Sequence, residues 1–87
     1  MDTQQGTQGA MPPEIEALES ELVESVIKAR RDSGVSQREL AKISGIRQPL
    51  ISRFEKATHL PTIRTVNRIL QPLGYKLAVV KEDVSKK

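Results

Sequence analysis

Twenty residues in the middle of this 87-residue chain, Ser36–Glu55 (SQRELAKISGIRQPLISRFE), hold the side chains best suited to chemistry. They are amides, guanidiniums and ammonium groups, which recognise rather than react. Arg47 or Arg53 can fork onto guanine and Gln48 onto adenine, each pairing worth about 1–3 kcal/mol of discrimination. Ser52 can bond to several base edges, and Pro49 offers apolar contact to a thymine methyl. Arg38, Lys42, Lys56 and Arg64 are candidates for phosphate oxygens. Gln37 opens a helix whose free amides and positive end can hold a phosphate.

Other chemistry is poorly supplied. The chain has no cysteine and one histidine, His59. Thiol chemistry, disulfides and a multi-histidine metal site are therefore excluded. No nucleophile–base pair or phosphate loop is visible, so the expectation is not an enzyme, with no metal and no cofactor. His59 falls in a loop and reads as an ordinary loop residue before a phosphate contact. No apolar run approaches 18 residues and the first residues, MDTQQGTQGAMPPE, are polar. Neither a membrane span nor a signal peptide is expected, and a cytoplasmic protein is the default.

Charge is unevenly spread. The net charge is +3, yet residues 1–29 hold one lysine against six acids. Residues 30–64 reverse this, with eight bases against three acids. Residues 65–87 carry five bases and two acids. A basic centre behind an acidic front suits a polyanion, although a solvated surface produces similar scatter.

Four helices must position these groups. Residues 1–13 are polar and proline-bearing, and read as a disordered tail. The first helix starts near Pro13–Glu14, with Ile15, Leu18, Leu22, Val26 and Ala29 as its apolar stripe. Arg30 and Arg31 oppose the negative end, and Gly34 stops it. Ser36 and Glu39 form a capping box for a helix over Gln37–Ser44, which Gly45 ends. That helix faces inward with Leu40, Ala41 and Ser44, leaving Ile43 exposed. A third helix runs over about Gln48–Lys56, burying Ile51 and Phe54 with Leu50 beside them. Pro49 fits its first turn. Thr62 caps a fourth helix with Ile63, Val66, Ile69, Leu70 and Leu73 inward, ended by Pro72 and Gly74. Two short helices around a glycine turn make a helix-turn-helix. The period then changes at Tyr75–Val80 (YKLAVV), which reads as a single strand. A lone strand is unstable, so it wants the same strand of a second copy. A domain of about 60 residues is marginal alone, which also favours a partner subunit.

The stretch resembles the Cro/repressor-like, or XRE, helix-turn-helix family. The resemblance lies in SQ-x-x-LA at Ser36–Ala41, the turn at Gly45–Ile46, IS-x-x-E at Ile51–Glu55, and Pro61. It covers about residues 22–74. It implies that Gln37 clamps a phosphate and Gln48 reads a base. Two residues depart from the family: Arg47 stands where a Ser or Thr cap is usual, and Pro49 where a polar reading residue is usual. A narrower similarity, in size and in the terminal strand, is to DNA-binding antitoxins of the HigA and HipB type. It implies a strand paired across a dimer, repression of the chain's own operon, and a protein toxin as partner.

The expectation is therefore a mostly α fold of four to five helices with one C-terminal strand pairing across a homodimer. Residues 1–13 form the tail, 14–74 the DNA-binding domain, 75–81 the dimerisation strand and 82–87 a frayed end. Tyr75, Leu77, Val79 and Val80 carry dimerisation. The expected function is sequence-specific repression at a palindromic operator, most simply as an autoregulating antitoxin. A stand-alone phage-like or metabolic repressor, or a module that chiefly neutralises a toxin, are the alternatives. The acidic face of the first helix, Glu14, Glu16, Glu19, Glu21 and Glu24, reads as solvated before it reads as a docking face for a basic toxin.

Overall fold

The computed structural model describes residues 12–58 and 60–82. His59, most of the expected N-terminal tail and most of the expected C-terminal end lie outside the described residues. Helix α1 runs Pro13–Asp32, α2 Gln37–Ser44, α3 Gln48–Glu55 and α4 Ile63–Leu70, followed by a 3-10 turn at Gln71–Leu73.

Local chemistry explains each boundary. Proline at the first helical position of α1 loses no bond, because that amide has no intrahelical acceptor. The helix thus begins at Pro13 with Pro12 as its cap, one residue earlier than the expected tail boundary. The Ser36 hydroxyl accepts from the Glu39 amide at 3.0 Å, and the Glu39 carboxylate accepts from the Ser36 amide at 2.9 Å. That reciprocal box starts α2. Gly45 ends it with φ +76°, a left-handed conformation that side chains resist. The Thr62 side chain accepts from the Thr65 amide and starts α4.

The core is a single cluster: Val23, Val26 and Ala29 of α1, Leu40 of α2, Ile46 of the turn, Ile51 and Phe54 of α3, and Val66, Ile69 and Leu70 of α4. Leu22, Val35, Ala41, Leu73 and Leu77 pack around it. Two expectations fail here. Ile15 and Leu18 lie on the apolar stripe of α1 but are 41 % and 57 % exposed. A 20-residue helix spans about 30 Å and an eight-residue helix about 12 Å, so the three short helices cover only part of α1. Ile63 was expected to face inward and is instead 71 % exposed, because it is the first residue of α4 and lies beyond the core.

The C-terminal segment differs too. Among the described residues, Tyr75–Glu82 forms no strand. A strand needs a neighbour to pair with, and the described part of this one chain supplies none. Leu77 rests on the core, and its amide donates to Asn67 Oδ1 at 3.4 Å. Tyr75, Val79 and Val80 are exposed.

Candidate nucleic-acid interface

Helices α2 and α3 are joined by the turn Gly45–Ile46–Arg47. Ile46, Ile51 and Phe54 are buried under α3 and fix its orientation. Once these faces are spent, Arg47, Gln48, Pro49 and Arg53 are exposed and Ser52 is half-buried. Gln48, Ser52 and Lys56 follow one another at steps of four, so they form one row along α3. Pro49 and Arg53 form the adjacent row.

An open groove of about 550 Å³ lies along the turn, lined by Arg38, Glu39, Ala41 and Lys42 of α2 and by Gly45, Ile46, Arg47 and Gln48, with the Glu39 carboxylate engaged by the Ser36 amide. It brings two expected phosphate residues together with two expected base-reading residues. Arg53 and Lys56 sit farther along α3, outside this groove, and Arg64 is on α4. Arg47 caps α3 through its backbone alone, with no side-chain hydrogen bond to the helix. Its guanidinium therefore remains available to the groove.

Gln37 is only half-exposed, and its Nε2 donates to Glu55 Oε1 at 2.9 Å. The same carboxylate binds Arg30: Nε donates to Oε2 at 2.7 Å and Nη2 to Oε1 at 3.0 Å. Arg30 Nη1 also donates to the Val35 carbonyl at 2.8 Å. The Arg30 and Glu55 side chains are 11 % and 8 % exposed. Burial would push the Glu55 carboxyl up, but Arg30, the Gln37 amide and the nearby Arg31 hold it below the usual carboxylate range. Arg30 is raised by its bond to Glu55. The network joins the end of α1, the start of α2 and the end of α3. It fixes the Gln37 side chain at the start of α2 through its bond to Glu55. No described acceptor takes the Gln37 and Arg38 amides, so both are open to an anion.

Sequence reasoning missed this network. Arg30 reads as a base opposing the end of α1, and Glu55 as a motif residue without a task. One signal was present. An acid in the last turn of a helix faces the negative end of its dipole, so Glu55 calls for a cationic partner. A second missed contact is Arg68, whose Nη2 donates to the Ser44 carbonyl at 3.4 Å and braces the end of α2. Among the described residues, no group of His, Asp and Glu side chains is placed to hold a metal, and no helix is long and apolar enough to cross a membrane.

Comparison with known proteins matches this geometry. The helix-turn-helix family pattern matches residues 26–80. A Haemophilus influenzae protein described as an uncharacterized HTH-type transcriptional regulator is 39 % identical over 59 residues, covering 68 % of this chain and 60 % of that protein. Antitoxin HigA1 of Mycobacterium tuberculosis is 39 % identical over 61 residues, covering 70 % of this chain and 41 % of the antitoxin. The chain thus spans less than two thirds of these relatives. A solved structure, a toxin-antitoxin module from Streptococcus pneumoniae, aligns with TM-score 0.65 and 34 % identity over 94 % of both chains. On the matched pattern and the α2–turn–α3 geometry alike, the chain belongs to the helix-turn-helix family of the Cro/repressor-like, XRE type.

Proposed function

We propose that the chain is a sequence-specific DNA-binding repressor that serves as the autoregulating antitoxin of a toxin-antitoxin pair. The observation that carries the DNA reading is the groove joining Arg38 and Lys42 to Arg47 and Gln48, while Gln37 is held at the start of α2 by Glu55. α3 enters the major groove with its N-terminal residues first. Gln48, Arg47, Pro49, Ser52 and Arg53 read base edges. Gln37, Arg38, Lys42, Lys56 and Arg64 take phosphates. The likeness to HigA1 and to the toxin-antitoxin module supports a protein toxin as second partner. The likeness to the Haemophilus influenzae regulator supports the alternative of a stand-alone repressor. On this reading the protein acts in the cytoplasm, without catalysis.

A homodimer completes the reading. Tyr75–Val80 pairs with the same segment of a second copy, using Tyr75, Leu77, Val79 and Val80. Support comes from Val79 and Val80, which are 102 % and 82 % exposed in the single chain. Two copies of α3 about 34 Å apart then meet successive turns of a palindrome. Repression follows from occupying the promoter.

Fluorescence anisotropy against DNA from upstream of the chain's own gene, with a scrambled duplex as control, tests this. A specific repressor binds its site about 10³-fold or more tighter than the control. Gln48→Ala with Arg53→Ala removes that preference while leaving the circular dichroism spectrum intact. Equal, salt-sensitive binding of both duplexes by the unaltered protein refutes specific recognition.

A further inference from the structure

The N-terminal half of α1 carries an apolar row that the described core covers only at its inner end. Ile15, Leu18 and Leu22 stand at i, i+3 and i+7, the spacing by which an amphipathic helix anchors in a groove. Ile15 and Leu18 are exposed, and Leu22 is the point where the row joins the core. Helical spacing sets Glu14 and Glu21 along one edge of the row and Glu16 and Glu19 along the other. Glu24 lies on the far side. Residues 12–27 contain no base at all.

This composition selects the occupant. A second copy laid against the row would set carboxylates against carboxylates. The described C-terminal segment does not cover it either, since Val79 and Val80 are themselves exposed. Leu77 is held at Asn67. DNA is repelled by the same acids. A basic protein with an apolar groove matches both the row and its rim.

We propose that Pro13–Leu22 of α1 is a docking helix that lays Ile15, Leu18 and Leu22 into an apolar groove on a basic protein partner, while its flanking glutamates meet lysines or arginines on the groove's rim. The inference rests on the toxin reading above, and it assigns that partner a surface separate from the DNA face. The two surfaces share no residue.

The test uses the full chain and the protein encoded by the reading frame next to its own gene. Affinity is measured by calorimetry for the unaltered chain, for Ile15→Glu with Leu18→Glu, and for Glu16→Lys with Glu19→Lys. These side chains lie outside the core, so the variants keep their thermal midpoint and their affinity for DNA. Both lose partner affinity about 100-fold or more, and the lysine pair also weakens the salt dependence. Variants that bind the partner as well as the unaltered chain does overturn the docking surface and leave the toxin reading standing. An unaltered chain that fails to bind overturns the toxin reading, and the docking surface with it. Sedimentation of the glutamate pair as a smaller species than the unaltered chain overturns the proposal in favour of a second copy.

Discussion

Replacing Arg30 by Met is the most informative single perturbation of the fold. It leaves the Glu55 carboxylate 8 % exposed, with only the Gln37 amide as a bonded partner. Stranding one member of a buried ion pair costs about 3–5 kcal/mol. A chain of this size holds about 4–13 kcal/mol in all, so the loss takes a large share. With a urea slope of about 1 kcal/mol/M, the unfolding midpoint falls by about 3 M. The double change Arg30→Met with Glu55→Leu removes both charges and lies within about 2 kcal/mol of the unaltered protein. Circular dichroism in urea measures all four corners of this cycle. The pH dependence has a defined sign. Glu55 has a lowered folded-state pKa, so its stabilisation is complete above its unfolded value, about 4.3, and fades as pH falls through the folded value. The gap between the unaltered protein and Arg30→Met therefore narrows below about pH 4. A cost under about 1 kcal/mol at pH 7 refutes the view that this pair locks the three helices together. The double variant also tests Gln37: stable but without its carboxylate anchor, it loses operator affinity if Glu55 presets the clamp.

Three further outcomes follow from local geometry. Arg47→Ser supplies the missing side-chain cap of α3, raising stability by about 1 kcal/mol and the thermal midpoint by about 4–8 °C, while operator affinity falls by about 1–3 kcal/mol and specificity relaxes at the base that Arg47 reads. Gly45→Ala places a Cβ 2.8 Å from Arg68 Nη2 at φ +76°, and loses about 1–2 kcal/mol in urea unfolding. Adding Arg68→Ala relieves the contact but not the backbone strain. Ala57 holds φ 60° just past α3, and Ala57→Gly gains about 0.5–1 kcal/mol by thermal melting.

The helical boundaries were legible because they depend on neighbours in sequence. Ser36 with Glu39, Thr62, Gly45 and Gly74 each act within a few residues, and the structure places them as caps and stops. Periodicity was legible in phase but not in extent. Ile15 and Leu18 have the right phase, yet whether a stripe is covered depends on the lengths of the helices packed against it. The same limit misplaced Ile63. The Arg30–Glu55–Gln37 network was hidden for a different reason: its members are 25 and 18 residues apart, and no local rule joins them.

The candidate site divides along the same line. Arg47, Gln48, Pro49 and Arg53 followed from subtracting the buried face of α3, and that subtraction needed only Ile51 and Phe54. How Gln37 is presented needed the tertiary fold, because its amide is set by a carboxylate from another helix and that carboxylate by an arginine from a third. If Gln37 clamps a phosphate as proposed, its dependence on all three helices couples binding to folding. Loosening the core at Arg30 then weakens DNA binding before any residue on the binding face has changed. Tyr75–Val80 carries the argument one level higher. Its alternation is a property of one chain, but a strand exists only where a second backbone accepts its bonds. The four helices are thus settled within a single chain, whereas the exposed apolar residues Ile15 and Leu18 of α1, and Val79 and Val80, are not covered by anything among the described residues.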